Sequence, residues 1–200
     1  VKYYPCKILL PNGETSIGCY SYDFRGQLQE VTLERLFEAN FTSTDSILNN
    51  KALSTGEKFE QIMQQVQQFT GLNIRQDIAR LLAFDALILN EDRHTNNILF
   101  LYHPVDKSWQ LAPIFDNGLS LLSDENDFTP NKPITILKRK VKAKPFNSSF
   151  LKQLTLYTGP AFISKTKLLN LLESTSFNSP LSKLCSAFSS FSLHPTYVHS

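Results

Sequence analysis

The apolar periodicity of the chain breaks at residue 90, and that break constrains the fold more than any other feature. Up to Leu89 the apolar residues recur at helical spacing, with Ile74, Ile78, Leu81, Leu82 and Ile88 on one stripe. A polar block follows, Asn90-Glu91-Asp92-Arg93-His94-Thr95-Asn96-Asn97, and then two short apolar runs, Ile98 to Tyr102 and Trp109 to Phe115. His103-Pro104-Val105-Asp106-Lys107-Ser108 between the runs has turn composition, so the runs read as a β-hairpin. A second polar block, Phe115-Asp116-Asn117-Gly118, closes it. The fold must therefore lead an apolar helix into a polar loop, with both polar blocks at one end of a hairpin.

Antiparallel pairing would set the start of the first run beside the end of the second, with backbones about 4.8 Å apart. Asn97 and Asp116 would then sit side by side. An amide oxygen and a carboxylate suit a hard cation such as Mg²⁺, and Asp92 would project into the same space from the loop leading in. One residue to orient an attacking hydroxyl and two to hold metal on a nucleotide is the division of labour of phosphoryl transfer. The plain reading is a solvated loop and a tight turn, since Asn and Gly tolerate positive φ. The order of the blocks, the five-residue step from Asp92 to Asn97 and the intervening strand pair together favour the site.

The pattern Asn-x-Asp-Arg-His-x-x-Asn at residues 90–97, followed by Ala112-Pro113-Ile114-Phe115-Asp116-Asn117-Gly118-Leu119-Ser120-Leu121, resembles the HipA-like and CtkA-like bacterial serine/threonine kinases. The resemblance is strongest over residues 85–122 and continues weakly to Lys144-Pro145-Phe146. It implies an α+β, mainly helical fold: a kinase-like carboxy-terminal lobe carrying a catalytic-loop hairpin. It also implies Asp92 as catalytic aspartate, Asn97 and Asp116 as metal ligands, ATP with Mg²⁺ (or Mn²⁺), and a protein serine or threonine as acceptor. Arg93 and His94 match the motif and are expected to brace the loop. Asp85, in the apolar helix, would be expensive to bury unpaired; it either lies on the solvent side or accepts hydrogen bonds from the loop backbone, Arg93 or His94.

Elsewhere the chain reads as scaffold. Cys6 to Leu10 and Ser16 to Ser21 are strand candidates around Asn12-Gly13, a hairpin signal. Leu33, Leu36 and Phe37 suggest one helix; Ser54-Thr55-Gly56-Glu57 has capping-box spacing and opens another, with Phe59, Ile62, Met63, Val66 and Phe69 on one face and Gly71 to end it. Asn73 is placed to cap the next. The organisation expected is a short hairpin at 1–30 near a lobe junction, then a helical lobe at 31–200 containing the catalytic hairpin 90–118 and a mobile loop at 119–133. Helical stripes are expected at Phe150, Leu151, Leu154, then Leu168, Leu169, Leu172, then Leu181, Leu184, Phe188, Phe191, with a frayed tail from Ser192.

Composition narrows the classes. With 200 residues and 42% hydrophobic content the chain can bury one good core or two small ones. No apolar run approaches the roughly 18 residues of a membrane span, there is no secretory signal pattern at Val1-Lys2-Tyr3-Tyr4-Pro5, and Cys6, Cys19 and Cys185 are too few and too scattered for a disulfide framework or zinc site. A cytoplasmic protein with reduced, mostly buried thiols is expected. A net charge of +2 does not argue for a polyanion partner. The run Lys138-Arg139-Lys140-Val141-Lys142-Ala143-Lys144 reads either as a solvated segment or as a guide for phosphates or an acidic substrate; nucleic acid is disfavoured because no aromatic ladder accompanies it.

The seven glycines form no Gly-x-Gly-x-x-Gly, and after Gly13 and Gly18 stand Cys19-Tyr20 where a phosphate loop needs Lys and Ser or Thr. No strand lysine with a glutamate partner is evident. The amino-terminal lobe is thus expected to be missing or strongly reduced. Either the chain is expected to be the carboxy-terminal lobe of a longer kinase, cut out or encoded apart from its amino-terminal lobe, or it is a degenerate relative, a non-catalytic interaction module that pairs with a separate lobe or regulatory partner.

Overall fold

The computed structural model describes residues 1–40, 43–124, 126–129, 132–161, 164, 166–167 and 170. The stripes expected at 168–172 and 181–191, the tail from Ser192 and Cys185 lie outside the described residues.

The chain opens with β1 (Tyr3–Leu9) and β2 (Thr15–Ser21), paired antiparallel with Tyr3 opposite Ser21 and Leu9 opposite Thr15. Their turn is the expected one: Gly13 takes φ +83, a conformation open to glycine, and Asn12 Oδ1 accepts from the Glu14 N–H at 3.1 Å. Tyr4 and Tyr20 stack at 5.3 Å on one face, while Ile17 on the same ribbon is 87% exposed. The expectation of buried thiols fails here, because Cys19 is exposed and Cys6 half-buried on a ribbon that has two strands among the described residues. The ribbon touches the second polar block. The Val1 ammonium donates to the Ile114 carbonyl at 2.8 Å, and the Asp116 N–H donates to the Tyr3 hydroxyl at 3.3 Å.

A second sheet has strand order β3-β4-β5, all antiparallel, from β3 (Gln29–Thr32), β4 (Leu99–His103) and β5 (Ser108–Leu111). β4 and β5 are the expected hairpin. β3 is too short and polar to have been visible in the sequence; pairing with β4, not propensity, makes it a strand.

The helices are α1 (Leu33–Asn40), α2 (Asp45–Leu48), α3 (Thr55–Thr70), α4 (Arg75–Ile88), α5 (Ile134–Leu137) and α6 (Phe150–Leu154). The capping box of α3 forms as read: Ser54 Oγ accepts from the Glu57 N–H at 3.2 Å, and Glu57 Oε2 from the Ser54 N–H at 2.7 Å. Gly71 ends the helix at φ +77. Phe59, Ile62, Met63 and Val66 are buried, but Phe69 is 42% exposed and its ring lies edge-on to Trp109 at 5.8 Å. Asn73 does not cap α4. Ile74 occupies that position without a side-chain bond, and Asn73 Oδ1 accepts from Arg75 Nη1 instead.

The main core joins Leu33, Leu36 and Phe37 of α1 to Ile62, Met63 and Val66 of α3, Ile78 and Leu82 of α4, and Ile98 and Phe100 from the hairpin. Each such side chain contributes about 1.5–3 kcal/mol on burial, so the hairpin and α4 are fixed to one body. A second cluster joins Leu89, Phe128, Leu137, Val141, Ala143 and Phe150. No helix among the described residues is long and apolar enough to cross a membrane.

Candidate active site

The polar loop is built on the last turn of α4. Leu89 caps that helix in the left-handed region at φ +53, and the reversal brings Asn90 back over the helix end: its N–H donates to the Asp85 carbonyl at 3.0 Å and its Nδ2 to Asp85 Oδ1 at 2.9 Å. Asp85, Asn90 and Arg93 are all 0% exposed.

Arg93 organises everything around it. Its Nε donates to Asp85 Oδ2 (2.9 Å) and its Nη2 to Asp85 Oδ1 (3.2 Å) and Asn117 Oδ1 (2.6 Å). Its Nη1 donates to the carbonyls of Asn97 (2.9 Å) and Phe115 (3.0 Å). A guanidinium has five N–H groups, and each has an acceptor. Asp85 is therefore paired rather than solvent-facing, and its partners are Arg93 and Asn90, not His94. Burial pushes the Asp85 carboxyl above the ordinary aspartate range, against the pull of Arg93 and Asn90.

Arg93 also explains how the second polar block arrives. The β4–β5 ladder ends where the Ala112 N–H meets the Leu99 carbonyl, and its register, continued, would put Ile114 opposite Asn97. Asp116 is thus not the cross-strand neighbour that simple pairing suggests. Pro113 has no N–H to extend the ladder, and the chain bends away through Asp116 at φ +52. One nitrogen shared between the Asn97 and Phe115 carbonyls holds the two blocks together instead.

Asp92 lies between them. Its N–H donates to Asn90 Oδ1 at 3.0 Å, and its carbonyl accepts from the His94 N–H at 2.8 Å and from Asn97 Nδ2 at 2.7 Å. The carboxylate is left partly open, with His94 Nε2 3.6 Å from Oδ2 and Lys144 Nζ 3.3 Å from Oδ1. The bond from Asn97 Nδ2 turns the amide so that Oδ1 is its free end. Neither Asn97 Oδ1 nor the exposed Asp116 carboxylate has a hydrogen-bond partner among the described residues.

Three further groups hold the loop. Glu34 on α1 accepts from Thr95 Oγ1 (2.9 Å), Ser43 Oγ (2.7 Å), the Thr44 hydroxyl and the Thr44 N–H. Partial burial raises its pKa, but the bonds from Thr44, Ser43 and Thr95 outweigh this and hold it below the ordinary value. Glu91 is pushed the other way by burial and by Asp127 and Asp124 nearby, with relief from the Lys142 N–H and from Lys144. The segment read as a mobile loop is tied at its start, where the Glu91 N–H donates to the Leu119 carbonyl and the Leu121 N–H to the Ile88 carbonyl; further along, Phe128 is buried.

The lysine run is not simply a solvated segment. Val141 and Ala143 are buried beneath it, the Lys142 N–H donates to Glu91 Oε1, and Lys144 reaches Asp92. Asn90 and Asn117 stand in the two sequence motifs and Lys144 in the basic run, but none is given a role there; Glu34 leaves no signal.

The hairpin fed by a buried helix and faced by an Asp-Asn-Gly block sits in a kinase-like fold. The chain is similar to the crystal structure of the Helicobacter pylori proinflammatory kinase CtkA, with a TM-score of 0.56 at 18% identity, over 92% of this chain and 72% of that one. That likeness is one of fold. The family follows from the sequence: a model of the HipA-like C-terminal domain matches residues 22–174, and the chain belongs to that family. No curated protein matches it.

Proposed function

We propose that the protein transfers a phosphoryl group from ATP, with Mg²⁺ or Mn²⁺, to a serine or threonine hydroxyl of a protein. The observation that carries this reading is the Arg93 hub. It draws the 92–97 loop and the 115–117 block together while leaving Asn97 Oδ1 and the Asp116 carboxylate, two hard oxygen donors, without hydrogen-bond partners among the described residues. That donor set fits a hard cation.

In this mechanism Asp92 orients the acceptor hydroxyl and takes its proton, at a carboxylate whose backbone is fixed by Asn90, His94 and Asn97. Asn97 and Asp116 would hold the metal, which would supply neutralisation of charge on the nucleotide phosphates. Arg93 and Asp85 keep these groups in register, so positioning supplies much of the rate. A glycine-rich phosphate cover and its strand lysine, not found in the sequence, would come from another segment or a separate partner.

The test uses the protein at its full natural length with radiolabelled ATP and a generic protein acceptor. Asp92→Asn is expected to lower kcat by about 10²–10⁴, and Asp116→Asn chiefly to weaken metal–nucleotide binding. Wild-type transfer by both variants refutes the assignment. The rival reading, a non-catalytic interaction module, is favoured by the lack of any Gly-x-Gly-x-x-Gly among the seven glycines; it requires no Mn²⁺ binding that depends on Asn97 and Asp116.

A further inference from the structure

The ion pair between Lys144 and Asp92 joins residues 52 positions apart, and stability does not account for it. The two side chains are 50% and 27% exposed, and a pair so open to water contributes little to stability. What is built with care is the placement of the lysine. Val141, Ala143 and Phe146 point into the protein, while Lys142 and Lys144 between them point out. Gln153, fully buried, clamps this stretch: its Nε2 donates to the Lys144 carbonyl at 3.0 Å, and its Oε1 accepts from the Phe146 N–H at 2.9 Å. The Ala143 N–H donates to the Ser148 carbonyl and the Lys142 N–H to Glu91 Oε1, so the segment is held both to its own turn and to the polar loop. A buried amide is thus used to fix the backbone of a half-exposed lysine, with its ammonium 3.3 Å from the carboxylate proposed to take a proton.

We propose that Lys144 is a phosphoryl-binding residue: its ammonium contacts the oxygens of the group being transferred, beside Asp92. This rests on the phosphoryl-transfer reading above. In the step, the acceptor hydroxyl oxygen bonds to the γ-phosphorus, and the bond from that phosphorus to the β,γ-bridging oxygen breaks. The electron pair leaves with ADP, and the hydroxyl proton passes to the Asp92 carboxylate. The phosphoryl oxygens must therefore lie within reach of whatever flanks Asp92. A lysine ammonium, a compact charge with three rotatable donors, can follow a phosphoryl group as it moves from donor to acceptor. Fixed charge aimed at that position lowers the barrier without reorganisation.

The probe is an acyl-phosphate derivative of ATP, which acylates lysines lying against the terminal phosphate, applied to the full-length protein with Mg²⁺ and read by peptide mass spectrometry. MgATP binding is measured separately by equilibrium dialysis. The expected result is preferential labelling of Lys144 over Lys140 and Lys142, suppressed by excess MgATP, together with a fall in kcat of about 10²-fold for Lys144→Met and partial recovery in Lys144→Arg. MgATP binding without preferential, protectable labelling of Lys144 overturns this inference and leaves the proposed function standing. Absence of MgATP binding when the phosphate cover is present, supplied by another segment or by the partner, overturns the proposed function, and this inference with it.

Discussion

Arg93→Met tests the organisation of the site most directly. The Arg93 and Asp85 side chains are each 1% exposed, so the substitution leaves a carboxylate buried with only Asn90 as a side-chain donor. Stranding one member of a buried pair costs about 3–5 kcal/mol. The carbonyls of Asn97 and Phe115 and Asn117 Oδ1 lose a donor at the same time. Whole domains have about 5–15 kcal/mol of stability, so the variant should be severely destabilised, measured as the shift in urea midpoint by far-ultraviolet circular dichroism. Asp85→Asn in the Arg93→Met background removes the stranded charge and should recover about 1–3 kcal/mol. It restores no donor to Phe115 or Asn117, so metal–nucleotide binding should stay weak even as stability returns. Arg93→Met within about 1 kcal/mol of wild type, or an Asp85→Asn addition that destabilises further, would refute the hub.

Two other perturbations separate loop from scaffold. Glu34 has a folded pKa below its ordinary value, so its contribution to stability is complete above the unfolded value and is lost as pH falls through the folded one; Glu34→Gln should lower stability at neutral pH and flatten the acid side of the stability–pH curve, followed by thermal melts across that range. Ser54→Ala removes one half of the α3 capping box and should cost about 1 kcal/mol in chemical denaturation, without altering nucleotide or metal binding, since α3 does not supply the polar loop.

The parts of the fold legible in the sequence are those written in local chemistry. Ser54 and Glu57 set the start of α3 and Gly71 its end, and Asn12-Gly13 set the first turn, because each acts on backbone within a few residues. The contacts that were not legible join distant positions. β3 exists because Val31 finds Phe100, and Lys144 reaches Asp92 because Gln153 holds its backbone. Phe69 fits the apolar face of α3 by spacing, yet lies beyond the core and meets Trp109 at the surface. For the candidate site, the motif singled out Asp92, Asn97 and Asp116, but the pairing expected between Asn97 and Asp116 does not occur, since the strand register carried on faces Asn97 with Ile114. The missing element was a side chain with enough donors to bridge two blocks, and Arg93 could be recognised as such only once Asp85 was seen to be buried beside it.

The Gln153 clamp has a consequence for how the site comes into being during synthesis. The groups around Asp92 arrive from three stretches of chain, near 85–97, 115–117 and 141–153. A ribosome-bound polypeptide ending before Gln153 carries the aspartates and the asparagine yet lacks the amide that seats Lys144. Seating of Lys144 beside Asp92 is deferred until residue 153 has emerged, so a shorter nascent chain carries the motif without that contact.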